Sequence, residues 1–223
     1  MKKPVIILFF SVVFFVPVIF GQKTPLSIAT DLDFQHSLKK GQRYWAGGQT
    51  VQGDFHFMPK EAMYVWVAYY SLGKFNNNLA AIAKLPSTNP QQINFVNKAQ
   101  MRFKHVSVGW KHYFKGSYTD DEKWNLYGYA GFGLMLGLVQ NVYSISIDTS
   151  AYTVPVVSGK ANFKRLTLDL GLGWEVPLGA DIFFYNELRV WVPTTDYPSA
   201  YIFVNKNAPL VASLNFGMRI LFD

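Results

Sequence analysis

The residues best suited to chemistry are His105 and Ser107, which stand two apart in the segment His105-Val106-Ser107. A histidine can serve as a general base and a serine as a nucleophile when a carboxylate orients the imidazole ring. On an extended strand, residues two apart share a face, so the two side chains can meet a common substrate. No glutamate follows until Glu122. We therefore expect no catalytic site, and keep His105 with Ser107 as the alternative.

A second polar set consists of charges that alternate with apolar residues, which would place them on one face of extended segments. Charges in a narrow interior must be paired, because burying an isolated ion costs several kcal/mol or more. Glu187 and Arg189 stand two apart, and Arg219 lies on the next predicted strand. We predict a structural ion-pair network with a Glu187–Arg189 or a Glu187–Arg219 pair; a gated ion path is the alternative. Its predicted members are Lys111, Asp169, Glu175, Glu187, Arg189 and Arg219.

Other binding chemistry lacks the necessary residues. The chain has no cysteine, which excludes disulfides and thiolate-bound metals. His56 and His112 have no further ligands at metal-binding spacing, and Gly131-Phe132-Gly133 lies inside a predicted strand, where it cannot cradle a phosphate. No run of Lys or Arg exceeds two residues despite a net charge of +7. We therefore predict no cofactor, no metal and no nucleic-acid partner.

The first residues have the layout of a secretory signal peptide. Lys2 and Lys3 are followed by the apolar run 5–20, in which Pro17 interrupts a stretch too short for a spanning helix. Gly21 is small enough for a cleavage site, and Gln22 begins a polar stretch. We predict a signal peptide at 1–21 and one mature domain at 22–223.

The mature chain consists of segments with period-two alternation, which is typical of β-strands with two unlike faces. The clearest example is 165–176, where Leu, Trp and Val alternate with Thr, Asp, Gly and Glu. Short and longer connections alternate between the segments, as in transmembrane barrels. We predict an all-β, antiparallel, up-and-down β-barrel of about eight strands, at residues 26–38, 44–58, 63–75, 102–114, 124–138, 165–176, 182–192 and 210–222. Residues 76–100 and 148–164 are expected to be long loops.

Three features favour lipid outside the barrel over a ligand inside it. Charged residues make up only 16% of the chain, against the roughly 25% usual in soluble domains. The polar faces are rich in glycine, which suits a crowded lumen. Aromatic residues stand near strand ends, as in the girdles at membrane interfaces. The predicted girdle comprises Trp45, Trp110, Trp124, Trp174 and Trp191.

The last strand ends in Arg219-Ile220-Leu221-Phe222-Asp223. With this ending and its alternating strands, the chain resembles the small eight-stranded outer-membrane β-barrels of Gram-negative bacteria, whose terminal aromatic residue serves as an assembly signal. The resemblance implies that Phe222 is that signal, that the barrel-assembly machinery inserts the chain, and that it crosses the outer membrane several times, in contact with its lipid. The Gly21-Gln22 junction looks like those of Bacteroidota exported proteins.

Two classes of function follow. In the first, the barrel is a non-enzymatic structural or accessory subunit that contacts a larger outer-membrane secretion or assembly machine, using apolar residues at 80–85, 93–96 and 201–204. In the second, it is a lipid A-modifying enzyme or a narrow solute pore. His105 and Ser107 resemble the His-x-Ser pair of lipid A deacylases, also eight-stranded barrels. We expect the first class, since eight strands leave room only for side chains.

Overall fold

The structure, a computed structural model, describes residues 25–120, 123–179, 181–203 and 209–222. The predicted signal peptide lies outside these ranges. Within them, no helix is long and apolar enough to cross a membrane. Regular structure in the described residues is antiparallel β-sheet, which confirms the predicted fold class.

Eight long strands and one short strand follow one another along the chain. Their bounds are β1 Leu26–Ser37, β2 Trp45–Met58, β3 Glu61–Ala83, β4 Gln92–Lys115, β5 Asn125–Tyr143, β6 Tyr152–Thr153, β7 Gly159–Gly179, β8 Ile182–Pro193 and β9 Val211–Phe222. Each long strand pairs with the next, and the pairing of β1 with β9 closes the ring. The barrel is therefore eight-stranded and leaves no open edge among its long strands.

One side of the barrel continues well beyond the ring. The predicted loop 76–100 is largely strand, because β3 and β4 stay paired from Gly73↔Met101 to Ile82↔Gln92. The short β6 returns to pair with the end of β3, at Ile82↔Thr153 and Ala83↔Tyr152. The expectation of a long loop here was wrong. The two strands remain paired beyond the level at which one of their faces meets lipid and the other meets the lumen. We call residues 73–100, the end of β5 and residues 144–158 the projection.

The two faces of each strand meet different surroundings. On β7, Leu166, Leu170 and Leu172 are exposed, whereas Thr167 and Asp169 are fully buried. Strand β3, which is apolar on both faces, turns Tyr64, Trp66, Ala68 and Tyr70 inward. An apolar exterior around a polar interior is the arrangement of a membrane barrel and the reverse of a soluble one. The barrel therefore stands in a membrane, with short turns at one end and the projection at the other.

Glycines on the inner face make room for the rings that fill the barrel. A Cβ on Gly171 would overlap the ring of Tyr129, and one on Gly137 would overlap the ring of Phe163. These close approaches, rather than any backbone strain, require glycine at the two positions. Gly53 on β2 is different, because nothing lies within 4 Å of its added Cβ.

We expect Gly171→Ala to destabilise the barrel by about 1–3 kcal/mol, since the added methyl overpacks a filled core. Urea unfolding in detergent, followed by tryptophan fluorescence, measures this change. Gly53→Ala is the matched control and should leave the midpoint within about 0.5 kcal/mol of the parent. Equal effects of the two substitutions would contradict the packing account.

Candidate functional site

The middle of the interior is organised around Arg189 on β8. Its Nη2 lies 2.9 Å from Asp31 Oδ2 and 2.6 Å from Glu187 Oε2, and its Nη1 donates to Thr50 Oγ1 at 3.0 Å. The hydroxyl of Tyr127 donates to Glu187 Oε1 at 2.7 Å, and that of Tyr185 donates to Asp31 Oδ2 at 2.8 Å. Strands β1, β2, β5 and β8 all contribute, so this cluster ties opposite sides of the barrel together.

A second cluster lies near the end with the short turns, around Arg219 on β9. Arg219 grips Glu175 with two nitrogens, Nη2 to Oε1 at 2.7 Å and Nε to Oε2 at 3.0 Å. It also donates to Ser27 Oγ at 2.9 Å and to the carbonyl oxygen of Tyr118 at 3.1 Å. Because residue 118 belongs to the connection between β4 and β5, the cluster fastens this connection into the barrel mouth.

The structure thus settles how the predicted charges are partnered. Glu187 pairs with Arg189, and Arg219 pairs with Glu175 instead of Glu187. Lys111 Nζ lies 3.0 Å from Asp54 Oδ2 and 3.9 Å from the centre of the Tyr127 ring. The sequence reasoning missed Asp54 on β2. Its signal was the polar alternation of Gln52, Asp54 and His56, all of which are buried.

His105 and Ser107 both point into the interior and are buried. His105 Nε2 lies 3.3 Å from Asp169 Oδ2 and 2.9 Å from Thr167 Oγ1. Ser107 instead donates to the carbonyl oxygen of Phe132 at 3.3 Å. A nucleophile needs its base within hydrogen-bonding reach and a route for the substrate, and this burial gives a membrane lipid no route to either group.

Aromatic rings surround His105, which meets both Trp66 and Trp191 edge-on. The ring centre of Trp191 lies 4.3 Å from that of His105 and 5.9 Å from that of Trp66. The prediction that Trp191 belongs to the girdle was therefore wrong, because its side chain is 1% exposed and faces inward. The other four predicted girdle residues, Trp45, Trp110, Trp124 and Trp174, are exposed on the outside.

At the end of the barrel that bears the projection, residues between β8 and β9 also enter the interior. The guanidinium of Arg165 donates to the carbonyl oxygen of Tyr197 at 3.4 Å, and Asn141 Nδ2 donates to that of Tyr201 at 2.7 Å. Ile202 is buried against the interior core. Residues 197–202, in the connection between β8 and β9, therefore fold inward above the aromatic rings. In the described parts of the chain, no group of three His, Asp or Glu side chains could hold a metal ion.

Solved structures with the same architecture are outer-membrane proteins. The attachment invasion locus protein Ail of Yersinia pestis is 11% identical, with a TM-score of 0.50. Neisserial surface protein A is 10% identical with a TM-score of 0.53, and a major outer membrane protein from Thermus thermophilus is 13% identical with a TM-score of 0.51. In each comparison the match covers 90% of this chain and 100% of the other. No family model matches the chain, and neither does any curated protein.

At these identities the likeness establishes the fold and nothing finer. Together with the apolar exterior, it makes the chain a small outer-membrane β-barrel that crosses the membrane with eight strands. The likeness to Bacteroidota proteins gains no support from these structures.

We expect Arg219→Met to lower the free energy of unfolding by about 3–5 kcal/mol, because it leaves Glu175 buried without its partner. The double substitution Glu175→Gln with Arg219→Met should recover most of this loss. Arg102→Met, on the exposed outer face, is the matched control and should change stability by about 0.5 kcal/mol or less. Urea unfolding in detergent measures all three variants. If Arg219→Met alone were as stable as the double variant, this result would contradict the pairing.

We also expect the purified barrel to give no steady conductance in planar bilayers, because side chains and inserted connections fill its interior. The recordings should stay at the baseline of protein-free bilayers. Regular, voltage-independent current steps would show a continuous water path and contradict the filled interior.

Proposed function

We propose that the chain is a non-enzymatic accessory subunit that binds a partner protein of the outer membrane through its projection. The observation that carries this proposal is a second hydrophobic core, separate from the barrel interior, within the projection. Ala81, Phe95 and Tyr152 form its buried centre, and Leu79, Ala83, Ile93, Tyr143, Ile147, Ala151 and Val154 pack around it. A connection that needed only to close the barrel would require no core of its own.

Polar contacts fix residues 144–158 onto the β3–β4 hairpin. The hydroxyl of Tyr152 donates to the carbonyl oxygen of Pro90 at 2.9 Å, and Lys84 Nζ donates to that of Thr149 at 2.8 Å. Asp148 accepts from both the hydroxyl and the backbone N–H of Ser150, and these hydrogen bonds lower the pKa of Asp148. The projection is therefore a preformed surface, which binds with a smaller loss of conformational entropy than a mobile loop.

Exposed apolar side chains supply the contacts for a protein partner. Ile82, Leu85 and Ile145 lie on the projection, and Leu85 is 62% exposed. Scattered apolar side chains are common on protein surfaces, but three on one rigid element rising above the lipid suit a binding surface. The predicted anchors at 80–85 and 93–96 therefore fall into two groups. Ala81 and Phe95 are buried in the second core, whereas Ile82 and Leu85 are exposed.

The alternatives receive less support from the same structure. A lipid A-modifying enzyme needs its nucleophile at the lipid face, and Ser107 lies inside. A solute pore needs an open lumen, which the clusters of Arg189 and Arg219 occupy. Recognition of the chain by the barrel-assembly machinery stays a prediction, in which Phe222 at the exposed end of β9 is the signal.

The complex should be visible as a species heavier than the monomer when native outer membranes are dissolved in a mild detergent and separated by native electrophoresis. We expect Leu85→Glu with Ile145→Glu to convert that species to monomer, because a buried charge opposes an apolar contact. Asn94→Glu is the matched control, since it adds a charge to the projection and removes no apolar side chain. A monomer in the parent protein, or equal losses in all variants, would contradict the proposal.

A further inference from the structure

Three exposed cations form a patch on the outer face of adjacent strands. Arg102 and Lys104 point outward from β4, and Lys164 points outward from β7. Strand β5 lies between them, and its Leu136 pairs with both Lys104 and Lys164. We call Arg102, Lys104 and Lys164 the outer cationic patch. It involves none of the residues assigned to the partner-binding surface of the projection.

The patch lies at the height of the lipid headgroups. Lys104 stands ten residues above the exposed Phe114 on β4, and Lys164 stands ten above the exposed Trp174 on β7. Ten residues span about 33 Å along a strand. At a tilt of about 40° this is about 25 Å along the membrane normal, the height of the apolar band of such barrels. The cations therefore mark the border where the lipid tails end and the phosphates of the distal leaflet begin.

The surroundings of the patch are basic above and apolar below. Lys98 and Lys160 continue it on the same two strands, farther from the membrane. In the part of the chain that the structure describes, no carboxylate makes an ion pair with any of these five cations. Leu134 and Leu166 lie directly below on β5 and β7, facing the lipid tails. Cations without internal partners attract an external anion, and the leucines below suit an anion that carries acyl chains.

The spacing suits more than one phosphate on a single headgroup. Lys104 and Lys164 are two strand spacings apart, about 10 Å, and Arg102 is about 7 Å above Lys104. A groove of about 650 Å³ opens at this surface, and its lining includes Arg102, Lys104, Lys164 and Leu136 together with the buried Phe103 and Phe163. The exposed Tyr69 also lines the groove and pairs with Lys104, which adds an interfacial aromatic ring at the same height.

We propose that the outer cationic patch is a binding site for a phosphorylated glycolipid of the distal leaflet, whose phosphates contact Arg102, Lys104 and Lys164 while its acyl chains cover the leucines below. The guanidinium of Arg102 offers two parallel N–H donors to one phosphate, and each ammonium group offers a point charge to another. Binding there would fix the rotation and depth of the barrel in the membrane.

Native mass spectrometry of the full-length mature barrel in detergent tests the site, with diphosphoryl lipid A as the probe. We expect saturable binding of lipid A, weakened on the order of a hundredfold in the triple variant Arg102→Gln, Lys104→Gln, Lys164→Gln, at about tenfold or less for each charge removed. The matched control is Lys60→Gln, Lys115→Gln, Lys123→Gln, which removes three exposed cations at the other end of the barrel and should bind as the parent does. Heat-modifiable migration on a gel shows that each variant is folded.

Competitors distinguish the possible sources of the phosphate. Phosphatidylglycerol and inorganic phosphate should each displace lipid A at least tenfold less effectively than unlabelled lipid A. Equal weakening in the two triple variants would show an effect of net charge alone and would overturn the proposal. Displacement by phosphatidylglycerol or by free phosphate as effective as that by lipid A would overturn it too, by showing a general anion surface.

Discussion

Pairing of charges inside a narrow barrel is the constraint on which the rest of this structure depends. Within the membrane each strand has one face toward lipid, so the polar side chains at that depth point inward, where little water remains. The buried arginines are therefore paired with buried carboxylates. Arg189 pairs with Asp31 and Glu187, and Arg219 pairs with Glu175. The Arg189–Asp31 and Arg219–Glu175 pairs each join strands that are two apart in the ring, and the glycines facing the aromatic rings follow from the same crowding.

A filled interior favours a function on the outside of the molecule. The interior has no room for a substrate path, and His105, which meets Asp169 and Thr167, is enclosed by Trp66 and Trp191. Two outer surfaces remain, at different heights. The projection has its own core and rises above the lipid, whereas the outer cationic patch lies at the headgroups. The first is suited to a protein and the second to a charged lipid, so the two proposals can fail independently.

Much of the fold could be predicted from the sequence because lipid and lumen impose opposite polarity on alternate residues. Where this contrast fades, the prediction fails too. Above the membrane both faces of β3 and β4 meet water or protein, so the strands at 76–83 and 92–100 carried no alternation and were expected to be loop. Trp191 is a different error, since Glu187, Arg189 and Trp191 are each two residues apart and so share the inner face. The two-residue spacing therefore predicted the facing of Trp191 better than the general preference of tryptophan for membrane interfaces.

It was harder to predict which charged side chains pair with each other than to predict that they point inward. Strand adjacency suggested Glu187 for Arg219, but the structure gives it Glu175, two strands away. A long guanidinium side chain in a narrow barrel reaches across the lumen, so neighbours in the sheet are not its only choices. The roles of Asp54, His56 and Ser27 were missed because their partners lie on other strands. Asp54 on β2 pairs with Lys111 on β4, and His56 on β2 pairs with Ser27 on β1.

The measurement that tests the central claim most directly is a nitroxide scan along β7 in lipid nanodiscs. The chain has no cysteine, so single cysteines that replace Leu168, Leu170 and Leu172 can be labelled without removing others. Our account predicts that labels at these three outward positions collide readily with oxygen dissolved in the lipid and are protected from a water-soluble nickel complex. Contact of these labels with the nickel complex, or their protection from both reagents, would mean that the apolar face is not in lipid and would contradict the account.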